Sequence, residues 1–370
     1  MAVTVSEEVF KIHRWDPEGI QLAFFTPATV PVAVSALKRA SSAALIEVEE
    51  EGGIQGPAPL PGGAGIYVHD YDFQFDDVIA ALVRNLEAAG LSGELAHFKT
   101  DNPSLEGEAD LFECRLSLKG HRGSDNGFWL IDADVLAAVI DAAVAWCDPK
   151  DRAGTLYLNS EMSYRVDPTD ARKWLPLALE HNSWPHLHWE SSHDLKMVHF
   201  ARNSAHVSFC AGDPTPLEEK WRARLSEMRQ LLVEAADWSV YGLVKRKPVT
   251  FGIPGSLSFT TGWVEMPHLR RTPPPQLLRE LESRFVPDAF GMQLLSRGHA
   301  EWAPKSHPWA MTPLDHGILL VEHADLPVWY KEALPRMEVL EAARSDFRPL
   351  LLTDSLLESK EDLRGPRPEG

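Results

Sequence analysis

The residues of this chain with the clearest capacity for chemistry are histidines that lie close together near its middle. The chain has 15 histidines, and six of them fall between residues 181 and 206. They are His181, His186, His188, His193, His199 and His206. Imidazole nitrogens bind transition metals and exchange protons near neutral pH. A metal site or a proton-transfer site is therefore expected in this segment before any other.

The spacing of three of these histidines suits a metal. His186 and His188 are two residues apart, so on a strand they would project to the same face and could chelate one ion. His193 follows in a predicted turn, where it could supply a third ligand. The sequence thus allows a divalent transition metal (zinc, iron or nickel) at His186, His188 and His193.

The alternative is that these histidines are surface and half-buried residues of a β-meander, with no cofactor. No HExxH, no CxxC and no carboxylate at a diagnostic spacing accompanies them. Nucleophile motifs are also missing, since GIPGS at 252–256 lacks the spacing of a GxSxG elbow. Cys210 and His206 share one predicted strand, whereas a relay usually uses separate elements. We therefore predict no catalytic residues and interpret Cys210 as structural.

The charge of the chain bears on its partners. With 54 acidic and 36 basic residues, the formal net charge is −18. This charge disfavours nucleic acid, because phosphate binding depends on clustered Lys and Arg. It favours a protein partner and suits a basic one, through long-range electrostatic steering.

Cysteine usage and hydropathy bear on the compartment. Cys114, Cys147 and Cys210 are odd in number and widely spaced, which is typical of a reducing compartment. The first residues do not read as a signal peptide, and no apolar run approaches the ~18 residues of a membrane helix. The sequence predicts a cytoplasmic protein without a membrane partner.

The pattern of elements predicts an α+β fold. Residues 111–118 alternate strictly, with Glu113, Arg115 and Ser117 on one side, which predicts a sheet with one face in water. Strand–helix–strand units are predicted over 66–99 and 111–162, and a meander over 187–210. We expect strand–helix–strand units and antiparallel meanders to form one or two mixed sheets flanked by helices.

Several segments carry more specific expectations. The Gly/Pro-rich segment 52–65 is predicted to be a linker, and Val30–Ala40 fits either a strand or a short helix. The longest predicted helix, around Trp221–Ala235, is expected to cover the meander. We place an N-terminal α+β domain at 1–150, a C-terminal α+β domain at 151–355, and a polar, disordered tail at 356–370.

Two tryptophans are candidates for protein contact. Trp302 and Trp309 flank the proline-rich segment APKSHP. Exposed tryptophans in such loops often anchor protein interfaces. We predict that Trp302 and Trp309 are exposed protein-binding residues.

About the last 70 residues resemble a known family. The pattern is FGMQLL at 290–295, a loop, GILLV at 317–321, an acidic connector and a closing helix with Trp329 and Tyr330. It resembles the bacterial immunity proteins associated with type VI secretion and polymorphic toxins, although the family's glycine-rich run is reduced here to Gly317. The resemblance implies an α+β cytoplasmic protein that acts by binding.

These observations lead to one main functional hypothesis and two alternatives. The main hypothesis is a non-enzymatic, acidic protein-binding protein, and its more specific form is an immunity or antagonist factor against a secreted toxin. One alternative is a metal-dependent enzyme built on His186, His188 and His193. The other is a structural or assembly component, and the sequence leaves the oligomeric state open.

Overall fold

The computed structural model describes most of the chain. The described residues are 2–13, 19–49, 53–69, 75–100, 107–123, 129–147, 154–158, 162–181, 185–191, 194–201, 204–213, 220–251, 268–270, 273–332 and 334–359. In these ranges, no helix combines the length and the apolar character that a membrane crossing requires.

The strands, in chain order, are β1 (Val3–Val5), β2 (Gly19–Phe25), β3 (Ile54–Leu60), β4 (Gly63–His69), β5 (Gly93–His97), β6 (Gly107–Leu118), β7 (Gly120–Arg122), β8 (Trp129–Ile131), β9 (Gly154–Tyr157), β10 (Ser163–Val166), β11 (His186–Ser191), β12 (Asp194–Ala201), β13 (His206–Asp213), β14 (Ser239–Phe251), β15 (Met292–Leu295), β16 (Trp309–Pro313) and β17 (Leu319–His323).

The helices are α1 (Glu7–His13), α2 (Val30–Glu47), α3 (Phe75–Ala88), α4 (Ala133–Cys147), α5 (Pro168–His181), α6 (Trp221–Glu234), α7 (Pro275–Leu281), α8 (Arg297–Ala300), α9 (Pro327–Tyr330), α10 (Met337–Asp346) and α11 (Asp354–Glu358). Strand–helix units alternate with antiparallel meanders, and the α+β fold class is confirmed.

The chain divides into two compact units, and each unit is made of two separate segments. The first contains 1–103 and 153–185, and the second contains 104–152 and 186–370. The chain therefore passes from one unit to the other three times. The domains predicted at 1–150 and 151–355 assumed a single crossing and stay a prediction, and most of the predicted tail lies outside the described residues.

The first unit contains a five-stranded mixed sheet in the order β1-β5-β2-β4-β3. Only the β1–β5 pair in this order is parallel, and the other neighbours run antiparallel. Helices α1, α2 and α3 pack their apolar residues against the sheet. The resulting core includes Val9, Leu22, Leu37, Ile66 and Leu82, all of them buried. Removing this apolar surface from water is the main force that holds the unit together.

The Gly/Pro-rich segment is a β-hairpin, so the prediction of a linker was wrong. Strands β3 and β4 are joined by the two-residue turn Pro61-Gly62, and Gly62 has a φ of +82° that suits glycine. A Cβ atom on Gly63 would lie 1.9 Å from the carbonyl oxygen of Phe24. The glycines therefore permit the close approach of neighbouring strands.

The ambiguous segment Val30–Ala40 is the first part of helix α2. Pro31 lies in its first turn, where the missing N–H costs nothing. Ala33, Leu37, Ala40 and Ala44 recur at helical spacing and are buried. Valine residues in this segment favour a strand, but the stripe of small residues lets the segment pack as a helix, and packing decides the outcome.

The second unit contains eight strands that pair in the order β11-β12-β13-β6-β14-β15-β17-β16, with all neighbours antiparallel. Strands β11, β12 and β13 form the predicted meander, which is confirmed. Strand β6 lies between β13 and β14, so residues far apart in sequence become neighbours at the centre of this sheet.

Two helices pack on the same face of this sheet. Helix α6 packs mainly against β6 and β14, where a Cβ atom on Gly242 would lie 2.8 Å from Leu116 and Leu232. Helix α4 packs against β11 and β12, and its Trp146 contacts Phe209 of β13. The prediction that the Trp221–Ala235 helix covers the meander was wrong, because α4 occupies that position.

Candidate functional site

The histidine segment forms strands β11 to β13, as predicted. In the β11–β12 ladder His186 pairs with His199, and His188 pairs with Met197. His193 and the side chains of His186 and His188 lie outside what the structure describes. Among the described side chains, no group of three or more His, Cys, Asp and Glu residues could hold a metal ion. The metal site therefore stays a prediction.

The most unusual chemistry lies on the sheet face opposite to α6. Residues Glu113, Arg115 and Ser117 of β6 were predicted to face water, and this prediction was wrong. Glu113 is 5% exposed and Ser117 is 1% exposed, and the Arg115 side chain is 20% exposed. We call this side of the sheet the polar face. Its ionisable residues are buried because neighbouring strands and the end of α7 bring them partners.

The first cluster of the polar face surrounds Glu113. Lys245 and Lys247 of β14 place their Nζ atoms 3.3 Å and 2.7 Å from Glu113 Oε2. Ser208 of β13 donates a hydrogen bond to Glu113 Oε1 at 2.7 Å. All three ionised side chains are more than nine-tenths buried. Buried charges of this kind need partners, since desolvation of an isolated ion is costly.

These contacts set the ionisation of Glu113. Burial by itself would raise the pKa of the carboxyl, but the charges of Lys245 and Lys247 and the hydrogen bonds hold it well below its usual range. The nearby His199 is affected as well. Burial lowers the pKa of its imidazole, with Lys247 adding to the effect and Glu113 opposing it.

The second cluster surrounds Glu282, which directly follows α7. His206 Nε2 and Ser117 Oγ both lie 2.6 Å from Glu282 Oε2. Arg115 lies 3.9 Å from the other carboxylate oxygen. Arg279, one turn earlier, donates to the Leu118 carbonyl and stacks on the ring of Trp129 at 4.4 Å. The cluster connects β13, β6 and the end of α7.

The pKa values of the second cluster move in the same direction for different reasons. Burial would raise the pKa of Glu282, but His206, Arg115 and the hydrogen bond from Ser117 lower it. Burial lowers the pKa of His206, Glu282 opposes this, and Arg115 and Arg279 reinforce it. At neutral pH the cluster therefore contains an ionised Glu282.

Acid is expected to destabilise the second unit through both carboxylates. Glu113 and Glu282 have lower pKa values in the folded protein than in the unfolded chain, so the unfolded chain binds more protons as the pH falls. The two carboxylates contribute their full stabilisation at pH values above 4.5, the ordinary carboxyl pKa. This stabilisation is lost progressively as the pH falls below that value. Urea midpoints measured from pH 7 to pH 3 should fall most steeply below about pH 4.5.

Variants that carry Gln at both positions should lose this steep part of the pH profile. A profile of unchanged steepness in the double variant would show that other carboxylates are responsible.

The cysteine of this segment is inert. Cys210 is buried beside Glu113, and burial, reinforced by the carboxylate charge, raises the pKa of its thiol to about 12. A thiolate is therefore scarce at neutral pH, and His206, which could have served as its base, bonds to Glu282 instead. This geometry agrees with the structural interpretation of Cys210.

Sequence reasoning missed Lys245, Lys247, Arg279 and Glu282. The available signal was KRK at 245–247, which lies in strand β14 opposite the alternating charges of β6. In chemical terms the polar face joins acids to bases, and the hydroxyls of Ser117 and Ser208 donate to carboxylates rather than to a base. This arrangement stabilises charge and does not activate a nucleophile.

The two tryptophans differ in exposure. Trp309 of β16 is 6% exposed, its Nε1 donates to Asp346 at 2.8 Å, and its ring packs edge-on against Phe347. Trp302 is half-buried. The expectation of exposure was wrong for Trp309, because α10 and its C-terminal end cover the ring. A protein-binding role for Trp302 and Trp309 stays a prediction.

The turn before β13 is strained. Ala205 has a φ of +50° and is fully buried, and its carbonyl accepts a hydrogen bond from Leu118. A left-handed conformation costs a residue with a Cβ about 1–2 kcal/mol. The hydrogen bond from the Leu118 N–H, at 2.8 Å, is one of the tertiary contacts that hold Ala205 in this conformation.

Ala205→Gly should therefore leave the stability nearly unchanged, because relief of the left-handed strain offsets both the larger entropy of glycine in the unfolded chain and the loss of the buried methyl group. Urea unfolding gives the measurement. The matched control is Ala138→Gly on the exposed side of α4, which should cost about 1 kcal/mol. Equal losses for both variants would contradict the strain.

Comparisons with known proteins do not assign this chain to a family. No protein-family model matches the chain, and no curated protein matches it. One solved structure, described as a Pseudomonas aeruginosa T6SS protein, PA0821, aligns over 72% of this chain and 89% of its own, with 12% identity and a TM-score of 0.39. T6SS denotes type VI secretion, the setting of the resemblance noted above, but a likeness this low carries no functional argument.

Proposed function

We propose that this chain acts by binding another protein, as a cytoplasmic immunity or antagonist factor. The proposal rests on how the charged residues of the chain are distributed. The formal net charge is −18, but the buried ionised residues in the described part of the chain are balanced. They are the acids Glu113, Glu282 and Asp288 and the bases Lys245, Lys247 and Arg279.

This balance has a consequence for recognition. The acidic excess lies outside the buried set, where it can act on a partner over a distance of about a Debye length. A partner with a basic surface would be attracted and oriented before contact. The resemblance of the last segment to immunity proteins adds the expectation that the partner is a toxin.

Affinity purification of the tagged full-length chain from its native cells tests this proposal. One basic protein should be retained at about 0.1 M salt and lost at about 1 M salt, where the Debye length falls to about 3 Å. If that protein is a toxin, co-expression of the chain should restore growth of the poisoned cells. Recovery of no stoichiometric partner at low salt would count against the proposal.

A metal-dependent enzyme is the second candidate, and one observation favours it. The ladder pairs His186 with His199, so a further imidazole occupies the adjacent strand at the position of the predicted site. Elemental analysis of protein purified without a histidine tag decides this point. A metal-dependent enzyme requires bound transition metal that disappears when His186, His188 and His193 are replaced by Ala. No more than a trace of metal in the unaltered protein would exclude this candidate.

A further inference from the structure

A second, smaller hydrophobic core lies beside α7, where the C-terminal segment packs against it. Its buried members are Leu269, Leu278, Leu281, Phe285 and Leu352. The half-buried residues that pack against them are Leu277, Leu356 and Leu357. The part of this core that comes from residues 269–285 is called the α7 surface below. The C-terminal segment, which ends in α11, covers it.

The α7 surface is attached to the sheet by contacts that do not involve α11. Glu282, at the end of α7, lies 2.6 Å from Ser117 Oγ and from His206 Nε2. Arg279, one turn earlier, donates to the Leu118 carbonyl. These bonds connect α7 to β6 and β13, so the α7 surface is expected to keep its form when α11 leaves it.

Helix α11 is attached much less firmly. It has five residues, and none of them is buried. Isolated helices shorter than about 12–15 residues are marginal in water, so α11 depends on its contacts with the α7 surface. These contacts include the side chains of Leu356 and Leu357. They also include the carboxylate of Asp354, whose two oxygens accept from the Arg270 N–H at 3.0 Å and 3.2 Å.

These differences make α11 the element that opens first. Local opening is easiest where few apolar side chains are buried, and it leaves the rest of a unit folded. Detachment of α11 separates two half-buried leucines and one carboxylate from their partners, while the bonds of α7 to the sheet stay intact. It also uncovers apolar surface, which any segment of matching chemistry can cover again.

The sequence of α11 defines that chemistry. Asp-Ser-Leu-Leu at 354–357 places a carboxylate in the first turn of a helix and two leucines directly after it. A partner helix with this pattern can direct its carboxylate to the Arg270 N–H and its apolar residues to the α7 surface. A second copy of this chain is disfavoured as the occupant, because two copies that each carry a net charge of −18 repel one another.

We propose that α11 is a detachable strap, which a helix of a basic partner protein displaces from the α7 surface. The partner helix carries an acidic residue followed two and three positions later by large apolar residues. This inference rests on the proposed function only for the identity of the partner. The strap and the surface that it covers belong to the chain itself.

A fluorescent peptide with the sequence of residues 353–360 tests the strap, and its anisotropy reports binding. The full-length double variant Leu356→Ser/Leu357→Ser should bind this peptide, because its own α11 no longer covers the α7 surface. The unaltered chain should bind it at least about tenfold more weakly, since a tethered segment competes at an effective concentration of millimolar order. A peptide with serine in place of both leucines should bind neither protein.

Glu358→Gln is the matched control, because Glu358 lies on α11 and is exposed. This variant should bind the peptide as weakly as the unaltered chain. No binding by the folded double variant, or equal binding by the double variant and the unaltered chain, would overturn the proposal. If the double variant does not fold, Asp354→Ala replaces it, and an affinity no higher than that of the unaltered chain would overturn the proposal as well.

The peptide experiment and the affinity purification fail independently. A chain that retains a basic partner but shows no peptide binding keeps the proposed function and loses the strap. A chain that binds the peptide as expected but retains no partner keeps the strap and loses the proposed function.

Discussion

Replacing Glu282 with glutamine should lower the free energy of unfolding by about 3 kcal/mol, the loss typical of one partner removed from a buried ion cluster. The substitution preserves the shape of the side chain but removes the charge that Arg115 and Arg279 face. It also replaces an ionised acceptor of two short hydrogen bonds with a neutral amide. Chemical unfolding followed by fluorescence gives the measurement.

Glu280→Gln is the matched control for this prediction. Glu280 lies two residues earlier, is half exposed and approaches Arg122 at 3.9 Å. Surface substitutions of this kind usually change stability by less than about 0.5 kcal/mol. Similar losses at 280 and 282 would show that the buried cluster has no special role.

Replacing Glu113 with methionine should cost about 3–5 kcal/mol, because the carboxylate within 3.3 Å of both Lys245 and Lys247 is removed while the two ammonium groups stay buried. The triple replacement of Glu113, Lys245 and Lys247 by methionine should cost less than the single one. Buried ion clusters replaced as a whole by apolar residues of similar volume are often neutral in stability.

Urea unfolding of the single and triple variants decides between the two outcomes. A triple variant less stable than Glu113→Met alone would mean that the lysines stabilise the sheet independently of Glu113. A loss below about 1 kcal/mol in the single variant would mean that the carboxylate is not needed to bury them.

Periodicity alone predicts much of the second unit. The meander of β11 to β13, strand β6 and the α+β class all follow from apolar spacing, since burial of one side of each element is a local property of the sequence. The location of α6 could not be predicted in this way. Helices α4 and α6 both carry an apolar side, and the choice between them depends on the order of strands, which is set by contacts between distant segments.

The polar face shows why the site was harder to predict than the fold. Alternation in β6 identifies two faces but not what covers them, and polar residues normally indicate water. Here Glu113 meets Lys245 and Lys247 from a strand more than 130 residues later, and Ser117 meets Glu282 across 165 residues. A charged run inside a strand, such as KRK at 245–247, is the local sign that such a face is buried.

The hairpin of β3 and β4 could have been recognised from the sequence. Proline and glycine at 61–62 separate two segments of seven residues, which is the pattern of a two-residue turn. The abundance of glycine and proline at 52–65 predicted a linker instead. In the structure the same residues permit close contact between strands, as at Gly63.

The rate at which the recovered partner associates with this chain tests the proposed function most directly. If the acidic excess outside the buried set steers a basic partner, the association rate should fall at least about tenfold as salt rises from about 0.1 M to about 1 M, while the dissociation rate changes much less. An association rate that does not depend on salt would contradict the proposal.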